Sequence, residues 1–128
     1  MKSNPVAWFE IYVQDMSRAK AFYEAVFQGT LTRLANPDSE GFPEMEMWAF
    51  PSSMEEYGAP GALVKMEGCS SGGGTLVYFA CDDCAVEAAR AASNGGKVVT
   101  EKMSIGEYGF IAMVSDTEGN VIGLHSMQ

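Results

Sequence analysis

A glutamate in the middle of an apolar segment is the first residue of this sequence that could support chemistry. Residues 8–15 alternate in the way that a β-strand requires, and one face of that strand carries Trp8, Glu10 and Tyr12. A carboxylate on a strand face that packs inside a protein needs a hydrogen-bond partner or a raised pKa. That face is therefore either hydrated or functional.

Two cysteines have a spacing that is used for zinc binding and redox chemistry, in the segment Cys81-Asp-Asp-Cys84. A zinc site would need two more ligands, and only Cys69 and His125 remain to supply them as cysteine or histidine. The two aspartates should raise the pKa of the thiols, which disfavours a redox role. We interpret the segment as a junction between a strand and a helix, where aspartate caps the helix.

Composition limits the class of protein. The 128 residues are 47% hydrophobic and 20% charged, which predicts one globular domain with a real core. The net charge of −9 opposes binding to nucleic acid and to anionic membranes. No apolar run approaches the roughly 20 residues of a membrane span, and the first residues lack an apolar signal segment. Three cysteines without a disulfide pattern favour a cytoplasmic location.

Hydrophobic periodicity predicts the same order of elements in each half of the chain. The first half reads as strand, helix and three strands, at residues 6–14, 16–28, 30–34, 44–50 and 62–66. The second half reads the same way, at residues 75–80, 85–93, 97–102, 108–115 and 121–126. Residues 36–41 predict a turn and residues 68–74 a Gly/Ser linker.

The two halves also share an offset. The pairs Trp8/Thr75, Asp15/Asp82 and Gly29/Gly96 are each separated by 67 positions, which indicates a tandem duplication. We therefore expect a single domain, 1–128, of two βαβββ modules at about 5–67 and 75–127. The helix-side cores are predicted to contain Phe9, Ile11, Val13, Phe22, Val26, Leu76, Val86, Ile122 and Leu124. In the first helix, the stripe expected to be buried is Ala19, Phe22, Tyr23, Val26 and Phe27.

The duplicated pattern resembles the vicinal oxygen chelate superfamily, which includes glyoxalase I, extradiol dioxygenases and bleomycin-resistance proteins. The resemblance rests on the strand that leads into residues 15–23, on Gly95-Gly-Lys-Val, and on residues 116–125. Within the superfamily, the chain is most similar to small glyoxalase-like proteins. The resemblance implies an α+β fold in which a curved mixed sheet forms a cup. It also suggests a homodimer.

In metal-dependent members of that superfamily, His, Glu or Gln side chains hold a divalent metal in the cup. The matching positions in this sequence are Trp8, Lys65, Thr75 and Gly123, and none is a usual metal ligand. The resemblance therefore predicts a protein without the usual metal cofactor. A displaced site built on Glu10 and His125 is the alternative, with Glu44 or Glu46 reaching inward as a third ligand.

The resemblance places one set of alternating side chains in the cup. Three of them can carry charge and are the predicted catalytic residues, Glu10, His125 and Lys65. Glu10 and His125 could act as general bases, and the Lys65 ammonium could stabilise an enolate. The predicted ligand-binding residues are Trp8, Tyr12, Trp48, Thr75, Val77, Phe79 and Gly123.

Three functions follow from these residues. The first is binding of a small molecule in the cup with metal-independent lyase or isomerase chemistry. The second is non-catalytic sequestration of a compound, as in bleomycin-resistance proteins, for which an acidic chain would suit a cationic ligand. The third is a metal-dependent lyase or dioxygenase with displaced ligands. The charged residues could also satisfy one another and only shape the cavity, and the sequence does not name the ligand.

Overall fold

A computed structural model describes residues 1–36, 44–69 and 74–128. These residues form two compact units. The first unit contains residues 8–36, 44–69 and 74–75, and the second contains residues 1–7 and 76–128. The predicted turn at 36–41 and the predicted linker at 68–74 fall largely outside the described residues.

The first unit has the predicted order of one strand, one helix and three strands. Its elements are β1 (Val6–Tyr12), α1 (Met16–Phe27), β2 (Thr32–Leu34), β3 (Glu46–Ala49) and β4 (Gly61–Lys65). The strands pair in the order β2-β3-β4-β1. Strand β1 runs parallel to β4, and the other two pairs are antiparallel.

Helix α1 begins where the sequence predicts and buries a narrower stripe than predicted. The Asp15 side chain accepts a hydrogen bond from the backbone N–H of Arg18 at 3.0 Å, which satisfies one free donor of the first turn. The helix ends at Phe27, one residue before the predicted end, and Gln28 caps it with φ 54°. Its inner face packs on the sheet through Met16, Ala19 and Tyr23.

Four apolar helix residues were predicted in the core or in the buried stripe, and these predictions are wrong. Phe22 is 59% exposed and Val26 is 52% exposed. Phe27 on the same helix and Val86 on the second helix are also exposed. On α1 these side chains lie beside the narrow buried stripe, and the rings of Phe22 and Phe27 lean on Tyr23. Only one side of the apolar face of α1 therefore packs on the sheet, and the other side stays exposed.

The second unit repeats the order with one short 3₁₀ turn added. The elements are β5 (Thr75–Ala80), α2 (Cys84–Ser93), β6 (Lys97–Ser104), the turn Gly106–Tyr108, β7 (Phe110–Ser115) and β8 (Val121–Ser126). The strands pair in the order β5-β8-β7-β6, with β5 parallel to β8 and the other pairs antiparallel. No helix of the described residues is long and apolar enough to cross a membrane.

The residue that caps α2 shows that the predicted offset between the two halves is wrong by one position. Asp83 caps α2, because its side chain accepts a hydrogen bond from the N–H of Ala85 at 3.0 Å. Asp82, the aspartate that gave the predicted offset, forms an ion pair with Lys2. The two caps, Asp15 and Asp83, are therefore 68 positions apart and not 67. A one-residue slip moves every side chain of a strand to the opposite face.

Candidate functional site

Glu10 is the centre of a hydrogen-bonded trio on β1. The indole N–H of Trp8 donates to Glu10 Oε2 at 3.1 Å, and the Tyr12 hydroxyl donates to Glu10 Oε1 at 2.7 Å. All three side chains leave the same face of the strand, because they are two residues apart. The structure therefore brings together the trio that the alternation of residues 8–15 predicts.

Burial changes the acidity of this carboxyl group. Glu10 is only 8% exposed. Burial raises the pKa of Glu10 above its ordinary value, and the hydrogen bonds from Tyr12 and Trp8 oppose that rise only in part. A carboxyl group with a raised pKa can take and return a proton closer to neutral pH, which is the property that general acid–base chemistry needs.

Apolar side chains on the face turned away from α1 account for the burial. Met47, Ala62 and Val64 form a buried cluster there, and Trp8 and Tyr12 pack against it. Ala62 is the register partner of Glu10 on the parallel strand β4. We call this surface the Glu10 face, defined by Trp8, Glu10, Tyr12, Met47, Ala62 and Val64. The sequence analysis did not predict Met47, Ala62 or Val64 as part of this surface. Two of them, Ala62 and Val64, lie two residues apart on β4, so alternation along that strand places them on the same face.

Lys65 does not belong to the Glu10 face. Along β4, Ala62 and Val64 point to that face, so Leu63 and Lys65 point to the α1 side. The Lys65 side chain is exposed, and its register partner is Glu46. Its predicted position in the cup is therefore wrong.

Trp48 also lies on the α1 side, contrary to prediction, because it is the register partner of Leu63. Its indole N–H donates to Glu46 Oε2 at 2.9 Å. The Lys20 ammonium lies 3.6 Å from the centre of the Trp48 ring, a cation–π contact. The Trp48–Glu46 pair thus repeats the Trp8–Glu10 hydrogen bond on the opposite face of the sheet.

Three predicted ligand-binding residues of β5 point to the α2 side. Phe79 packs against the cluster built on Cys84 and Ala88 of α2, and Thr75 and Val77 alternate with it on that face. Leu76 is buried on the other face, contrary to its predicted place under the helix. The cause is the repeat offset of 68, which exchanges the two faces of β5.

Gly123 and His125 lie on the face of β8 turned away from α2. Gly123 is the register partner of Tyr78, and a Cβ atom at this position would overlap the Tyr78 ring. His125 Nε2 lies 2.6 Å from the carbonyl oxygen of Tyr108. Because a carbonyl only accepts, Nε2 carries the hydrogen and Nδ1 is left to accept a proton or a hydrogen bond. His125 belongs to the second unit and Glu10 to the first, and each has its own partners.

The donor set of the described residues does not fit the metal site of the resemblance. Within residues 1–36, 44–69 and 74–128, no group of three or more His, Cys, Asp or Glu side chains could hold a metal ion. Glu46, a predicted third ligand, accepts the Trp48 hydrogen bond and lies 3.9 Å from Arg33. We therefore derive no chemical step through a metal.

The cysteines at 81 and 84 are both free thiols, and α2 begins directly at Cys84. The pKa of Cys81 is raised to about 11, first by burial and then by the neighbouring Glu87 carboxylate. The intervening aspartates are not the cause, contrary to prediction. The interpretation as a strand–helix junction is confirmed by the Asp83 cap.

Comparison with known proteins identifies the family. The model of the Glyoxalase/Bleomycin resistance protein/Dioxygenase superfamily matches residues 6–124. The chain belongs to this superfamily. The predicted α+β fold with two βαβββ modules is thereby confirmed, as is the resemblance read from the sequence.

The individual proteins that resemble this chain share little sequence with it. The chain is 28% identical over 135 aligned positions to the protein named "Putative glyoxylase CFP32" of Mycobacterium bovis, covering 96% of this chain and 44% of that protein. The chain thus spans less than half the length of this curated relative. Methylmalonyl-CoA epimerase from Mycobacterium tuberculosis shares the fold with a TM-score of 0.68, 17% identity and coverage of 97% and 88% of the two chains. A hypothetical protein of Bacillus halodurans, BH1468, has a TM-score of 0.69 at 10% identity, with coverage of 96% and 94%. At these identities the structural likeness establishes the fold alone.

Proposed function

We propose that this superfamily member binds a small organic molecule at the Glu10 face and that the Glu10 carboxyl group transfers a proton to or from it without a metal. The observation that carries this proposal is the buried carboxyl held by two donors, Trp8 and Tyr12, against apolar side chains. A mostly apolar surface with a few fixed polar groups is the usual composition of a small-molecule site. A buried group of perturbed pKa is a frequent mark of function.

The chemistry that suits this group is proton abstraction next to a carbonyl. The Glu10 carboxylate takes the proton, and the electron pair of the broken C–H bond moves into an enolate. If the protonated carboxyl returns a proton to the same carbon, the net result is exchange of that hydrogen with solvent. If it delivers the proton to the neighbouring carbon of an enediolate, while the hydroxyl proton passes to the other oxygen, the result is an isomerase reaction. Tyr12 holds the carboxyl in one orientation through the 2.7 Å hydrogen bond, so it acts as a positioning residue.

The name of the curated relative, "Putative glyoxylase CFP32", is compatible with this class of chemistry. Methylmalonyl-CoA epimerase shares the fold and shows that the fold can carry an epimerase. Gly123 and His125 lie together on one face of β8 in the second unit, and their role in ligand binding stays a prediction of the resemblance. The homodimer and the cytoplasmic location stay predictions of the sequence.

The second candidate function is binding without turnover. Each oxygen of Glu10 already accepts a hydrogen bond from its own strand, so the carboxyl is satisfied without any ligand. The net charge of −9 would then favour a cationic compound. In this case Glu10 shapes and charges the site but moves no proton.

Deuterium exchange tests the proposal against this alternative. Carbonyl compounds, including methylmalonyl-CoA and the hemithioacetal of methylglyoxal and glutathione, are incubated with the protein in D₂O and followed by proton NMR. We expect wild type to catalyse exchange at the carbon next to the carbonyl and Glu10→Gln to lose at least 100-fold of that rate, in keeping with the usual contribution of a general base.

The matched control is Glu46→Gln, which removes the carboxylate of the other Trp–Glu pair. It should exchange at the wild-type rate. Exchange that survives in Glu10→Gln, or that falls equally in both variants, would contradict the role of Glu10. Saturable binding of panel compounds without exchange would favour the second candidate.

A further inference from the structure

The second unit contains a groove that the Glu10 face does not use. It lies between the N-terminal segment and α2, and has a volume of about 660 Å³, within the range of small-molecule sites. The backbone N–H of Ala80 donates to the carbonyl of Pro5 at 2.9 Å, which holds the N-terminal segment beside β5. The groove is therefore built by backbone pairing as well as by side chains.

The wall of the groove is mainly apolar. Phe79, Ile122 and Leu124 line it from the sheet, and Val86 lines it from the helix. Val86 is 44% exposed, so this wall still has apolar surface to cover. Burying such surface against a ligand is favourable, at about 25 cal/mol for each Å² removed from water.

Two of the three carboxylates in the groove already have charged partners. Asp82 forms an ion pair with Lys2 at 2.9 Å, and Asp83 forms one with Lys102 at 2.9 Å while capping α2. These pairs leave little free charge at this end of the groove.

The third carboxylate, Glu87, has one oxygen without a hydrogen-bond donor among the described residues. Its Oε1 atom is buried and accepts no hydrogen bond from any described residue, and Glu87 is in no salt bridge among those residues. The neighbouring thiol of Cys81 donates to the carbonyl of Phe79 at 3.6 Å, and the Glu87 carboxylate lies close enough to raise the pKa of that thiol. A buried acceptor without a donor is costly, and a charged one more so.

We propose that this groove binds a small organic cation, a protonated primary amine carried on an apolar body. The ammonium group donates a hydrogen bond to Glu87 Oε1, and the apolar body covers Val86. All residues of this groove belong to the second unit, so amine binding there is independent of the function proposed for Glu10.

The test uses three probes of one shape and different charge. They are 4-phenylbutylamine, which is protonated at neutral pH, neutral 4-phenylbutanol and anionic 4-phenylbutyrate. Binding is measured at pH 7 by titration of backbone amide NMR signals. We expect saturable binding of the amine with shifts in α2 and in residues 1–7, and at least tenfold weaker binding of the alcohol and the anion.

Variants identify the group that binds the amine. Glu87→Gln keeps the shape of the side chain and should weaken amine binding at least tenfold, the usual effect of losing a charge-assisted hydrogen bond. Glu101→Gln, at an exposed position on β6, removes the same charge and should change binding less than twofold. Val86→Ser tests the apolar wall and should weaken binding several-fold, and melting temperatures show that each variant is folded.

Three outcomes would overturn the proposal. The first is absence of saturable amine binding up to millimolar concentration. The second is equal weakening by Glu87→Gln and Glu101→Gln, which would show that only the net charge of the chain attracts amines. The third is tighter binding of the anion with loss in Arg90→Gln, since Arg90 also lines the groove.

Discussion

Replacing Glu10 by glutamine should change how the stability of the protein depends on pH. Burial raises the pKa of folded Glu10 above its ordinary value of 4.5, so the folded chain binds more protons than the unfolded chain just above pH 4.5. The stability contributed by the protonated carboxyl is therefore fully present below the unfolded-state pKa. It is lost as the pH rises through the folded-state pKa. Glutamine does not titrate, so the variant does not show this loss.

The size of the effect follows from one proton. A difference of one bound proton gives a slope of at most about 1.4 kcal/mol in the free energy of unfolding for each pH unit. Glutamine has only one acceptor oxygen, so the hydrogen bond from Trp8 or the one from Tyr12 is lost. That loss costs roughly 1–2 kcal/mol. We therefore expect wild type to be the more stable protein near pH 4.5 and its advantage to shrink as the pH rises.

Urea unfolding from pH 4.5 to pH 8, followed by tryptophan fluorescence, measures this difference. Glu46→Gln is the control, because it removes a carboxylate with the same type of tryptophan partner on the other face of the sheet. The reasoning is refuted if the advantage of wild type over Glu10→Gln grows with pH. Growth would mean that the hydrogen bonds outweigh burial and that the pKa of Glu10 is lowered.

Four further changes have defined outcomes. Tyr12→Phe removes a hydrogen bond to the charged carboxyl, so carbon-13 NMR should show a further rise of the Glu10 pKa. Gly123→Ala forces a Cβ atom onto the Tyr78 ring and should lower the free energy of unfolding in urea by roughly 1–3 kcal/mol. Cys81, with a pKa of about 11, should react with iodoacetamide at pH 8 far more slowly than free cysteine, because only about one thiol in a thousand is ionised. Zinc, nickel, manganese or iron at micromolar concentration should leave the melting temperature unchanged, since a metal that binds the folded state must raise it.

Each of these has its own check. An unchanged or lower Glu10 pKa in Tyr12→Phe would contradict the assigned hydrogen bond. Gly29→Ala is the control for Gly123→Ala, because its Cβ would meet only Pro51 at 3.7 Å, an ordinary contact. Peptide mapping must assign the alkylated thiol, and fast labelling of Cys81 would contradict its raised pKa. Stabilisation by one metal, lost in Glu10→Gln or His125→Ala, would restore the displaced metal site as the leading interpretation.

The order of elements and the family could be predicted from the sequence because they depend on local signals. Alternation gives strands, aspartate before an apolar stripe gives a helix start, and both signals occur twice in this chain. The Glu10 trio was predictable for the same reason, since its three members lie on one strand. Its hydrogen bonds connect residues two positions apart, so no long-range contact had to be known.

For the other strands, the sequence alone does not determine which side chains point to which face of the sheet. Two adjacent aspartates made either Asp82 or Asp83 an acceptable cap, and that single position exchanged the faces of Val77, Phe79 and their neighbours. On β4, Lys65 was chosen as the position that matches the superfamily's metal-ligand site, whereas register with β1 places Val64 on the Glu10 face. The burial of Phe22, Val26 and Phe27 was predicted wrongly because it depends on how the helix packs on the sheet, which the periodicity of the helix does not show.

The exposed stripe of α1 has a consequence for handling the protein. Phe22, Val26 and Phe27 present apolar surface to water on a chain whose copies repel one another at neutral pH through a net charge of −9. Near the isoelectric point, at about pH 4.4, that repulsion disappears while the stripe remains. Solubility should therefore pass through a minimum there, and purification by acid precipitation should be reversible because the fold itself is not required to open.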